Sequence, residues 1–119
     1  MTIRREDVDA GLIDLSDVID HRRPRMKPLH PGSILRNEYL DPLGITAYRL
    51  AKDLGVPQNR ILGILAGRRA ITADTALRLA RYFGTDAQSW INLQTFFDLE
   101  TARRADAKRI EREVKPRAA

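Results

Sequence analysis

The sequence predicts an all-α protein, a bundle of five helices whose last member extends towards the C-terminus. Three observations predict it. Between Pro28 and Phe97 apolar residues recur at helical spacing, and no run of β-branched residues alternates, so no sheet is expected there. Glycine and proline cut the same stretch into helix-sized pieces. Thr46, Thr72 and Asp86 stand just ahead of three of those pieces, where a side-chain oxygen caps a helix N-terminus. A length of 119 residues suits one such domain with an appendage or two.

Each element follows in order. Pro31-Gly32-Ser33 opens the first helix, whose apolar positions are Ile34, Leu35, Tyr39 and Leu40. Asp41-Pro42-Leu43-Gly44 is expected to stop it, because a proline disfavours helix in the residue before it. Thr46 caps the second helix, which turns Leu50, Ala51 and Leu54 inward and ends at Gly55, a residue at ease in the left-handed conformation. Pro57 fits the first turn of the third helix, where its missing N–H costs nothing; that helix runs to about Ala66 and ends at Gly67. The fourth, after Thr72, carries Ala76, Leu77, Ala80 and Phe83 inward and closes at Gly84. The fifth follows Asp86, with Trp90, Leu93 and Phe97 on one stripe and no stop before Pro116. Beyond Leu99 it turns polar, and Ala102, Ile110 and Val114 make too thin a seam for a coiled coil.

This divides the chain into an N-terminal extension and basic linker (1–27), a helical domain (28–99) and a polar, basic C-terminal helix or tail (100–119). In the extension, Val8, Leu12, Leu15 and Ile19 fall on one face of a helix, although Gly11 weakens it. His21-Arg22-Arg23-Pro24-Arg25 reads as an exposed linker, and Met26-Lys27-Pro28 resembles a natural start, which leaves residues 1–25 either a genuine extension or a start-codon artefact.

Charge narrows the function. The net charge is +5, and a basic balance favours a polyanionic partner. Residues 28–102 are near balance, with eight basic and seven acidic groups. Residues 103–119 hold seven basic groups against three acids, and residues 1–20 hold six acids against two arginines. The absence of cysteine excludes disulfides and thiolate metal sites and fits a reducing cytoplasm. No apolar run approaches the roughly 20 residues of a membrane span, and the acidic start lacks a signal peptide's apolar core, so a cytoplasmic protein without membrane contact is expected. Catalysis needs a base, a nucleophile or a metal cluster. His21 and His30 both lie in connecting segments, His30 better placed to cap or pack than to take a proton, and the carboxylates show no metal-ligand spacing. No enzyme and no cofactor is expected.

The informative stretch is Thr46 to Arg69. Ala51 is small where two helices cross, Gly55 makes the turn, and Val56, Ile61 and Ile64 plug the gap between the second and third helices. That plan is a helix-turn-helix, and it leaves the outer face of the third helix free to enter a DNA major groove. The face holds Gln58, Asn59, Leu62 and Gly63. Gln and Asn can bond bidentately to adenine, Leu62 can touch a thymine methyl, and Gly63 would let the backbone approach. Arg60 lies beside the face, within reach of a phosphate or a guanine, while Arg68 and Arg69 follow the helix as phosphate clamps. Two amphipathic helices joined by a glycine turn give part of this pattern in a purely structural bundle; the full spacing, with three further helices in place, is harder to reach by accident.

These residues resemble the phage-repressor-like, or XRE, helix-turn-helix family. Within it Leu29-His30-Pro31-Gly32 with Ile34-Leu35-Arg36, Asp41-Pro42-Leu43-Gly44-Ile45-Thr46, and Gly84-Thr85 followed by Trp90-Ile91-Asn92-Leu93-Gln94 resemble the HigA antitoxins, over roughly residues 26–100. The resemblance implies a homodimer that binds double-stranded operator DNA, represses its own operon and neutralises a cognate RelE-like toxin that cleaves mRNA. A free-standing XRE regulator without a toxin is the other reading. Two positions depart from the family pattern: Ala47 replaces a Gln that often clamps a phosphate after the Thr46 cap, and Pro57 stands where Ser or Thr is common. The acidic extension lies outside the usual family length. It either lies on a basic toxin, folds back on the basic tail around Arg103, Arg104, Lys108 and Arg109, or is a disordered leader.

Overall fold

Capping chemistry sets the helix boundaries, and the computed structural model describes residues 27–118. The stripe of Val8, Leu12, Leu15 and Ile19 and the basic linker lie outside the described residues. Helix α1 begins as Pro31–Ile34, capped by His30, whose Nδ1 accepts the Gly32 N–H at 2.9 Å. It widens into a π-helical stretch, Leu35–Leu40, and finishes as Asp41–Leu43 before Gly44 turns left-handed at φ 66°. The helix thus ends within Asp41–Gly44, as the sequence suggested, but at Gly44 rather than ahead of Pro42. A proline offers no N–H to the preceding turn, and its ring crowds the carbonyl four residues back. The wider turn absorbs both, with the Asp41 N–H reaching the Arg36 carbonyl five residues back.

Helix α2 is Ala47–Leu54, capped by Thr46 Oγ1, which accepts the Arg49 N–H at 3.1 Å, and closed by Gly55 at φ 72°. Helix α3 is Gln58–Leu65, with Pro57 just outside it in an extended conformation rather than in its first turn. Helix α4 is Ala73–Phe83, between the Thr72 cap and Gly84. Its inward face is Thr75, Ala76 and Leu79; Leu77, expected inside, is 64% exposed. Helix α5 runs from Ala87 to Glu113 behind its Asp86 cap. No strand occurs among the described residues.

The core gathers Leu35 and Leu40 of α1, Leu50, Ala51 and Leu54 of α2, Ile61 and Ile64 of α3, Ile71, Ala76 and Leu79 around α4, and Trp90 of α5. Tyr39 packs on Phe83 and Trp90 at ring-centroid distances of 4.8 and 5.3 Å. The buried Trp90 donates its Nε1–H to Thr85 Oγ1 at 2.9 Å, so the indole is buried without an orphan donor. Leu93 and Phe97 are half-buried beside it, and beyond Glu100 α5 is almost wholly exposed.

Candidate nucleic-acid interface

Ala51 is buried, Gly55 turns the chain from α2 to α3 in the left-handed conformation, and the Val56 N–H closes the turn on the Ala51 carbonyl at 3.0 Å. Ile61 and Ile64 are fully buried against this joint, which commits the opposite face of α3 to solvent. Helix α1 locks the far end of α3 through Gly32: a Cβ there would overlap the Ile64 carbonyl oxygen. The sequence marked Gly32 as a helix opening and gave no sign of this contact, which joins residues distant in the chain.

Gln58 and Asn59 are exposed in the first turn of α3, and Leu62 is exposed one turn later. Arg68 and Arg69 are exposed just past its end, and neither side chain has an ion pair among the described residues. Thr46 is exposed; its oxygen accepts the capping bond, which leaves the hydroxyl proton to donate. Pro57 supplies no side-chain cap, so the Gln58 and Asn59 N–H groups stand uncapped by a side chain at the positive end of the helix dipole, while the Arg60 N–H donates to the Pro57 carbonyl at 3.0 Å.

Two residues sit differently from the sequence reading. Arg60 is half-buried and turned to Asp74, its Nη1 2.7 Å from Oδ2. Asp74 Oδ2 also accepts from Arg78 Nε at 2.9 Å, and Arg78 Nη1 donates to the Leu54 carbonyl at 2.8 Å. The two arginines, Arg78 first, hold the Asp74 carboxyl below the usual carboxylate range. Arg60 thus ties α3 to α4, and Arg78 ties α4 to the end of α2. Gly63 is buried, and a Cβ there would lie 2.6 and 2.7 Å from Cδ and Cγ of Arg69. Its missing side chain makes room for the Arg69 stem, and its carbonyl accepts the Arg68 and Arg69 N–H groups at 2.8 and 3.1 Å.

The sequence named Gln94 only as part of a family motif and gave it no role; it is buried and reaches the connector after α3, where its Oε1 accepts the Ile71 N–H at 2.8 Å. A glutamine within a helical apolar stripe could have flagged a buried hydrogen bond, but not its partner. His30 does what its place before Pro31 suggested, capping α1 and packing edge-on against Phe97 at 4.8 Å. Among the described residues no group of His, Cys, Asp and Glu could hold a metal ion.

Two helices locked around a glycine turn, with the outer face of the second open and two arginines at its end, define a DNA-binding helix-turn-helix protein. A family model described as helix-turn-helix matches residues 37–90. The chain is 60% identical over 77 residues to virulence-associated protein I of Dichelobacter nodosus, covering 65% of this chain and 71% of that protein. It is 35% identical over 78 residues to antitoxin HigA-1 of Vibrio cholerae, covering 66% and 73%. The solved structure of the Pseudomonas aeruginosa antitoxin HigA with the higBA promoter aligns with a TM-score of 0.73 at 45% identity, over 76% of this chain and 99% of that one. The chain belongs to the helix-turn-helix family of DNA-binding regulators, which are not enzymes, and within it to the HigA antitoxins. No helix among the described residues is long and apolar enough to cross a membrane.

Proposed function

We propose that this protein is the antitoxin of a type II toxin–antitoxin pair, working in the cytoplasm as a homodimer that binds a palindromic operator, represses its own operon and neutralises a RelE-like mRNA-cleaving toxin. One observation carries the DNA half of this reading: the exposed row Gln58, Asn59 and Leu62 ends at two exposed arginines, on a fold shared with a HigA solved with its promoter. Gln58 and Asn59 read adenine edges, Leu62 meets a thymine methyl, Arg68 and Arg69 clamp phosphates, and Thr46 donates its hydroxyl to another. Arg60 and Gly63 act one step back, by bracing α3 and seating Arg69. Residues 28–99 form the DNA-binding domain and residues 100–119 a basic tail beside it. The toxin half is supported by the names that the relatives carry.

Operator binding by single variants tests the assignment. The half-sites should lie roughly 34–36 Å apart or a multiple of that. Gln58→Ala and Asn59→Ala should each lose about 1–3 kcal/mol of discrimination at particular base pairs. Arg69→Ala should weaken binding to all sequences alike and lower the salt slope by about 1. Unchanged affinity and base preference in the Gln58 and Asn59 variants would show that α3 is not the recognition helix. Co-expression with the neighbouring toxin-sized reading frame tests the rest: a stable complex and rescued growth support the antitoxin, and neither result leaves a free-standing regulator.

A further inference from the structure

The two arginines read above as phosphate clamps lie on a short connector between α3 and α4, and that connector is gripped both by α3 and by elements distant in sequence. Its first grip is the Gly63 carbonyl, which takes the Arg68 and Arg69 N–H groups. The second is Gln94 of α5, 6% exposed, whose Oε1 accepts the Ile71 N–H at 2.8 Å across 23 residues of sequence. Asp98 orients that amide by accepting from Nε2 at 2.9 Å, which leaves Oε1 for Ile71. The third is His30. A Cβ on Gly67 would sit 3.8 Å from its Cγ, so the ring lies against the connector, and the Arg69 backbone is close enough to the ring to favour its protonated form.

We propose that Gln94 and His30 form a clamp that fixes the Gly67–Ile71 connector and thereby positions Arg68 and Arg69 for the DNA backbone, although neither Gln94 nor His30 touches DNA. The proposal rests on the reading in which those arginines meet phosphate. Physically, a flexible arginine on a loose connector must be ordered at the moment of binding, and that ordering subtracts from affinity. A connector held at Gly67, Arg69 and Ile71 has its backbone ordered before DNA arrives. Because the arginines meet phosphate rather than bases, loosening them weakens binding to every sequence alike.

The test uses the full chain and two duplexes, operator and unrelated sequence, titrated over a salt series well below the melting temperature. Gln94→Met keeps the length and removes the acceptor. His30→Asn keeps an acceptor for the Gly32 N–H and is too short to reach Arg69. Each should weaken both duplexes equally, by roughly fivefold near 0.15 M salt for each phosphate no longer neutralised, and lower the salt slope by about 0.9 per phosphate. Neither should weaken binding further when Arg68 and Arg69 are both alanine. If the two variants fold and melt at lower temperature but keep the parent salt slope and affinity, the residues are merely structural and the proposal is overturned. If Gln94→Met does not fold, the His30→Asn slope decides alone. If the double arginine variant itself binds like the parent, the phosphate reading is wrong and the clamp falls with it; if it binds weakly while Gln94→Met and His30→Asn do not, only the clamp is wrong.

Discussion

His30 shows how much one side chain carries in a domain of this size. Its Nδ1 accepts the Gly32 N–H, so the cap requires a neutral ring. Burial lowers its pKa below the usual 6.5, opposed by the Asp98 charge and the Arg69 backbone bond. Between the folded value and 6.5 the unfolded chain binds more protons, so stability is full above about 6.5 and falls as the pH drops towards and through the lower folded value. Thermal melts at about pH 7.5 and about pH 5 should differ for the parent, and His30→Asn, which caps without titrating, should narrow the difference. An equal pH response in that variant would remove His30 as its source. Gly32 carries a steric load instead. A methyl there meets the Ile64 carbonyl of α3, and backbone cannot rotate aside as a side chain can. Gly32→Ala should cost about 1–3 kcal/mol, the range for overpacking, read as a lower denaturant midpoint; a variant as stable as the parent would mean that α1 shifts freely on α3.

At the scale of elements, α5 does two jobs along its length. Its first half is core: Trp90 is buried, bonded to Thr85 and packed at a tilt against Tyr39. Trp90→Ala should cost about 3–5 kcal/mol, against the roughly 5–15 kcal/mol of a typical domain, and operator affinity should fall only with the folded fraction. A red-shifted, freely quenched tryptophan in the native protein would contradict this. The α2–α3 joint was legible because its residues are near neighbours in sequence: the Thr46 cap, Ala51, Gly55, Ile61 and Ile64 fall within one short stretch. The course of α1 was not, because a proline in a helix can either end it or open a wider turn. The wider turn keeps Leu40 in the core and lets the chain leave at Gly44. One member of the inward set of α4 was misplaced: Leu77 is exposed, and Leu79, three residues after Ala76 on the same helical stripe, is buried instead.

For the whole molecule, the exposed end of α5 is an appendage to the fold. Residues 107–118 are all exposed, and their ion pairs, such as Arg109 with Asp106, are surface pairs. Removing them should change stability by no more than about 0.5 kcal/mol, as surface changes do, which chemical denaturation would read. A larger drop would mean that the tail covers the domain. The sequence by itself determined that this chain is all-helical, where most helices begin and end, and that the outer face of α3 carries Gln58, Asn59 and Leu62. Such properties follow from periodicity, capping and turn chemistry, which act between residues close in the chain. Only the tertiary structure decided that Arg60 braces Asp74, that Gly63 seats Arg69, that Gln94 bonds the connector beyond α3 at Ile71, and that the His30 ring lies against Gly67. Apart from Gly63 and Arg69, which meet across the end of α3, these pairs join residues from 14 to 37 positions apart. A side chain's partner at that range depends on how whole helices cross, and no local pattern records the crossing.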